Sequence, residues 1–146
     1  MIEPVIRRVS AERYSQLAGQ RTTTMDVAHV ALWVSDMDRA VDFYTGLGLE
    51  RQWSFTLDGV ENVYVGDEAG ELQLRHDPDR TTPIAPNRAD VDHVALTVDD
   101  TEAMVERATS LGAAVVTDPT VIEEAGAYVA FVEDPDGYTL EFVEAL

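Results

Sequence analysis

His29, Gln73, His93 and Glu141 are the side chains whose types and placing add up to chemistry. They offer two imidazole nitrogens, an amide oxygen and a carboxylate oxygen. That set suits a divalent first-row metal with water in the remaining positions. The argument rests on repetition. Ala28-His29-Val30-Ala31-Leu32-Trp33-Val34-Ser35-Asp36 returns as Asp92-His93-Val94-Ala95-Leu96-Thr97-Val98-Asp99-Asp100, Leu47-Gly48 returns as Leu111-Gly112, and Leu72-Gln73-Leu74 is echoed by Leu140-Glu141-Phe142. Each metal-competent residue takes the strand phase opposite its apolar neighbours, so all four face away from any helix that covers the apolar phase. One polar residue on the outer phase of a half-buried strand means little. Four of them, matched pairwise in a chain with only 3 histidines, point to a metal site. His76 has no counterpart in the other copy and reads as surface.

The elements that must position these residues form two modules, each reading strand, helix, then three strands. In the first, a strand over Val27–Val34 precedes a helix with Met37, Ala40, Val41 and Tyr44 at helical spacing, capped by Ser35 or Asp36 and broken at Gly46 and Gly48. Strands Glu50–Leu57, Glu61–Val65 and Glu71–Arg75 follow, the first two joined by an Asp58-Gly59 hairpin turn. In the second, strand His93–Val98, a helix over Thr101–Leu111 capped by Asp99 or Asp100, and strands around Ala114–Val116, Ala127–Glu133 and Tyr138–Val143 repeat the plan. Asp134-Pro135-Asp136-Gly137 turns between the last two strands. The predicted class is α+β: two tandem βαβββ modules, 26–77 and 90–146, joined by a proline-bearing linker over 78–89, with mixed sheets curled around a metal site. Residues 1–25 stand apart, hold Arg7, Arg8, Arg13 and Arg21, and read as a disordered tail or a short helix.

The composition narrows the partners. The chain has 146 residues, 28 acidic against 10 basic side chains, and a formal net charge of −18. Every basic residue is arginine, and there is no cysteine. No basic patch neutralises a phosphate backbone, which argues against nucleic acid. No apolar run reaches the length of a membrane span and no secretory signal is visible, so the expected location is cytoplasmic. An acidic, lysine-free surface is how a halophilic protein stays soluble.

At this point the chain resembles glyoxalase I and, more broadly, the vicinal oxygen chelate superfamily. The resemblance is carried by Asp42-Phe43-Tyr44, Leu47-Gly48-Leu49, Asp92-His93-Val94-Ala95-Leu96 and the tail Phe131-Val132-Glu133-Asp134-Pro135-Asp136-Gly137-Tyr138-Thr139-Leu140-Glu141, and covers about 26–146. It implies paired βαβββ units, each curled into half a barrel, and His29, Gln73, His93 and Glu141 as ligands of one divalent ion per site. Nickel, cobalt and zinc suit the set best, with iron and manganese also compatible. The implied reaction is that of a carbon–sulfur lyase. The thiol hemithioacetal of a 2-oxoaldehyde such as methylglyoxal is isomerised through a metal-bound enediolate to a 2-hydroxyacyl thioester, and Glu141 carries the proton between carbons. The resemblance also implies a homodimer, with sites within a chain or shared across two. Trp33, on the face of His29, is a candidate wall for the substrate and equally a candidate for packing between the modules.

Two departures qualify the match. Gln73 stands where glyoxalase I usually has glutamate; the ligand order His, Gln, His, Glu more closely resembles the methylmalonyl-CoA epimerases at that point. Trp33 and Asp77 stand where glutathione-dependent members have arginine and asparagine, which argues for another small thiol. Three alternatives stay open: an extradiol-type dioxygenase using the two histidines and a carboxylate, an epimerase, and a non-catalytic drug-binding protein. Glu61 is a second, weaker candidate base.

Overall fold

A computed structural model describes residues 27–85 and 91–146; the expected N-terminal tail or helix and the end of the linker lie outside the described residues. The first module runs β1 (His29–Trp33), α1 (Met37–Leu47), β2 (Glu50–Leu57), β3 (Val60–Asp67) and β4 (Gly70–His76). The second runs β5 (Val94–Thr97), α2 (Thr101–Ser110), β6 (Ala114–Ile122), a 3₁₀ turn (Glu123–Ala125), β7 (Ala127–Glu133) and β8 (Thr139–Ala145). Each module forms one four-stranded mixed sheet, ordered β1-β4-β3-β2 and β5-β8-β7-β6. β1 pairs with β4, and β5 with β8, in parallel; the remaining neighbours are antiparallel. The class is α+β with two βαβββ modules, as the repeat predicts.

Local chemistry fixes the boundaries. Asp36 caps α1 by accepting from the Arg39 N–H, and Asp100 caps α2 by accepting from the Ala103 N–H, each at 3.0 Å. Asp58 (φ 51°) and Gly59 (φ 81°) both take left-handed backbone, the geometry a two-residue hairpin demands. One strand outruns its expectation. The reading from sequence ends at Val116, before Asp118 and Pro119, yet β6 continues to Ile122. It lies at the sheet edge, where proline's missing donor costs no ladder bond, and the register shifts twice between Val115 and Thr120.

The core lies between the helices and the apolar faces of the two sheets. Phe43, Tyr44 and Leu47 of α1 and Ala108 of α2 join Val65, Leu74, Val132, Leu140 and Phe142 in one cluster. The modules are also joined by polar bonds. The Tyr44 hydroxyl donates to Asp134 Oδ2 at 2.6 Å. Asp134 Oδ1 accepts from the backbone N–H groups of Asp136 and Tyr138, both at 2.9 Å, which closes the turn. Asp136 Oδ1 in turn accepts from the Ser35 hydroxyl at 2.6 Å.

Burial pushes the Asp134 carboxyl above its ordinary range, while its three donors pull the other way. The folded state therefore holds this proton more tightly than the unfolded chain. The group's contribution to stability grows as pH falls toward the unfolded value and is lost as pH rises through the folded one. Tyr44→Phe removes one donor from a buried carboxylate and is expected to cost about 1–3 kcal/mol near neutral pH. Urea unfolding should show that deficit shrinking as pH is lowered from neutral and Asp134 takes up its proton. A deficit of the same size at both pH values would contradict this account.

Candidate functional site

Side chains that face each other across paired strands share a face. On the first sheet His29, Ala31 and Trp33 of β1 stand beside Glu71, Gln73 and Arg75 of β4, and Asn62 and Tyr64 of β3 extend the row. On the second, Ala95 and Thr97 of β5 stand beside Glu141 and Val143 of β8, with Phe131 and Val129 of β7 beyond. Both faces turn away from the helices, as the alternation predicts.

In the second module the two expected ligands meet. His93 Nε2 lies 2.9 Å from Glu141 Oε2, and His93 Nδ1 lies 2.7 Å from Asp92 Oδ2. The ring sits edge-on to Phe131, with centroids 5.4 Å apart. A carboxylate behind one imidazole nitrogen holds the ring so that the other nitrogen faces the site. This arrangement recurs behind metal-bound histidines. Glu141 is well shielded, with 17% of its side chain exposed, against 94% for Asp92.

In the first module Gln73 is held by a chain of donors. The Arg75 Nε–H can only donate, and at 3.0 Å its partner is Asn62, so that Asn62 atom is the oxygen Oδ1. The same oxygen accepts from Gln73 Nε2 at 2.9 Å. Gln73 must therefore direct its Oε1 elsewhere, as an oxygen ligand needs. Asn62 is 1% exposed and donates its own amide to the Val60 carbonyl at 3.1 Å. His29 packs edge-on to Tyr64 at 5.4 Å, and Tyr64 stacks on Trp53 at 4.0 Å.

Of the four expected ligands, His93 and Glu141 are thus in contact, while His29 and Gln73 share one face of the other sheet, with Gln73 opposite Ala31, two residues along β1 from His29. Among the described residues of one chain, no three histidine or acidic side chains converge on a point that could hold a metal. Glu61 is exposed, with its side chain in the phase opposite Asn62 and Gln73, and stands outside the site. His76 is half-buried rather than a surface residue, with Nδ1 3.2 Å from the Val34 carbonyl oxygen.

Sequence reasoning missed Asn62, Asp92 and Arg75. The phase that places Gln73 on the site face also places Arg75 there. Asn62 needs the β3–β4 register. Asn62→Leu is expected to weaken divalent-cation binding by about 10-fold, the lower end for removing a ligand's orienting partner. Competition with a chelator, with the thermal midpoint followed alongside, measures it. Unchanged affinity in a folded variant would remove Asn62 from this role.

The model of the Glyoxalase/Bleomycin resistance protein/Dioxygenase superfamily matches residues 26–142. The chain is 32% identical to a lactoylglutathione lyase of Haemophilus influenzae over 130 residues, covering 82% of this chain and 93% of that protein. It is also 32% identical to a lactoylglutathione lyase of Neisseria meningitidis over 127 residues, covering 82% and 91%. A glyoxalase family protein from Bacillus cereus superposes with a TM-score of 0.72 at 21% identity, over 86% of this chain and 97% of that one, and so supports the fold.

Proposed function

The chain belongs to the Glyoxalase/Bleomycin resistance protein/Dioxygenase superfamily, and from that premise we propose that it isomerises the hemithioacetal of a 2-oxoaldehyde and a thiol to a 2-hydroxyacyl thioester. The observation that carries this reading is the His93–Glu141 pair at 2.9 Å with Asp92 behind it; His29 and Gln73, the latter oriented by Asn62, share the matching face of the other sheet. These residues fit a divalent cation. They supply two imidazoles, one aimed amide oxygen and one shielded carboxylate, and two of the four are backed by outer partners.

In this reading His29, Gln73, His93 and Glu141 hold one such cation. When bound, it supplies Lewis-acid stabilisation of the negative charge that develops on two neighbouring substrate oxygens. Glu141 takes the proton from the carbon that bears sulfur, the electron pair moves toward the adjacent carbonyl, and Glu141 returns the proton to the neighbouring carbon. His93 keeps the carboxylate aimed, and Phe131, in register with Glu141, packs edge-on against the His93 ring.

Because the two ligand pairs stand on separate sheets, we assign the complete site to a homodimer, in which the first module of one copy faces the second module of the other and the sheets curl around the ion. Apolar surface on the edge strands supports a second copy: Val30 of β1 and Val115, Val116, Val121 and Ile122 of β6 are 39–53% exposed. The test is thioester formation from methylglyoxal and a panel of thiols, by protein loaded in turn with nickel, cobalt and zinc. Activity should vanish with chelator and return with metal. No thioester with any thiol, but oxygen uptake with catechols, would replace this reading with the dioxygenase one.

A further inference from the structure

β1 and β4 run in parallel with Trp33 and Arg75 in register, so the two side chains stand together at the end of the face that holds His29 and Gln73. The Arg75 guanidinium carbon is 4.5 Å from the Trp33 ring centroid, and the Arg80 guanidinium carbon is 5.2 Å from the same centroid. Both arginines use Nε on the protein: Arg75 donates to Asn62 Oδ1 at 3.0 Å, and Arg80 to the Thr82 carbonyl at 2.8 Å. Among the described residues neither guanidinium has an ion pair with a carboxylate. That is unexpected in a chain with 28 acidic and 10 basic side chains. Two anchored cations on one indole repel each other, and their terminal nitrogens are the fork that grips a carboxylate or phosphate. The second module steadies the platform: the Tyr138 hydroxyl donates to the Trp33 carbonyl at 2.9 Å.

We propose that Trp33, Arg75 and Arg80 form an oxyanion site, and that it binds a carboxylate or phosphate carried by the thiol half of the substrate. The assignment of the ligand to the thiol half rests on the reaction proposed above. Trp33 lies one side-chain repeat beyond Ala31, the register partner of Gln73, so the anion sits about 7 Å along the strand from Gln73. The reacting carbons and the charged tail thus occupy two ends of one face.

Two measurements test this on the full chain. The first compares kcat/KM for methylglyoxal adducts of 3-mercaptopropionate, a phosphate ester of a hydroxyalkyl thiol, and neutral 2-mercaptoethanol. Wild type should prefer a charged thiol by about 10–100-fold. The preference should collapse toward unity in Arg75→Gln and in Arg80→Gln, chiefly through KM. The relative rates of the carboxylate and phosphate thiols identify the tail. The second needs neither metal nor turnover. In a Trp53→Phe background, Trp33 is the one remaining tryptophan and reports binding of unreactive S-methyl thioethers of the same thiols. Charged thioethers should change its fluorescence saturably, with the midpoint raised about 10-fold in each arginine variant, and the neutral one should not. Arg80 touches no proposed metal ligand, so its variant separates anion binding from any disturbance of Gln73.

Charge-selective fluorescence without turnover of any thiol sinks the reaction and leaves the anion site standing. Turnover of all thiols at equal kcat/KM, with fluorescence indifferent to charge, overturns the anion site and leaves the reaction.

Discussion

Glu141→Gln is expected to lose about 10²–10⁴-fold in kcat, the range for removing a positioned general base, while the protein still takes up metal. Glutamine keeps an oxygen that can ligate and a shape that fits beside His93, but it cannot accept the substrate proton. The two roles given to Glu141 therefore separate. Metal content after loading and dialysis reads the ligand role, and single-turnover thioester formation reads the base role. Exchange of the substrate's carbon-bound hydrogen with deuterated solvent gives a third readout, and it should stop in the variant. A variant that holds metal and turns over at the wild-type rate removes Glu141 as base. One that binds no metal at all leaves its part as a ligand and withdraws the test of proton transfer to the exchange measurement in His93 and Gln73 variants.

The second large effect concerns where the site is completed. His29→Ala and Glu141→Gln each damage one half of it, and each protein alone is expected to be nearly inactive. Mixed in equal amounts and allowed to exchange subunits, they should recover about a quarter of wild-type activity. Random pairing makes half the dimers mixed, and each mixed dimer pairs an intact His29–Gln73 half with an intact His93–Glu141 half at one of its two sites. The physical ground is that His29–Gln73 and His93–Glu141 lie on separate sheets and that, among the described residues, no three histidine or acidic side chains converge, together with the exposed apolar residues of β1 and β6. If exchange is shown by mass spectrometry and no activity returns, each site is built inside a single chain, and the modules must approach each other by another movement.

Strand alternation made most of the frame legible, because a period of two sorts residues onto faces without any knowledge of the partner strand. It set His29, Gln73, His93 and Glu141 on the faces away from the helices, where the structure has them. The caps Asp36 and Asp100 and the Asp58-Gly59 turn were readable for a similar reason: the chemistry that makes them acts within a few residues. β6 was cut short because Asp118-Pro119 reads as a stop, and its place at a sheet edge, which makes the proline harmless, is a property of the whole sheet.

The supporting residues were harder for one common reason. Asn62 orients Gln73 only because β3 lies against β4, and Arg75 meets Trp33 only because β1 runs parallel to β4 in one particular register. Trp33 read alone suggested that a charge-binding arginine was missing from that place. The neighbouring strand supplies one beside it. Asp92 was within reach of sequence reasoning, since it adjoins His93, but it read as part of the repeat rather than as the carboxylate behind the ring.

Anomalous diffraction at the nickel edge, from crystals grown with nickel, tests the central assignment most directly. The account predicts one peak per site, at about 2.0–2.3 Å from imidazole nitrogens of His29 and His93, Gln73 Oε1 and a Glu141 oxygen, with the first pair and the second pair drawn from different copies of the chain. Peaks found elsewhere, or His29 and Gln73 facing solvent with no ion between them and the His93–Glu141 pair, would contradict it.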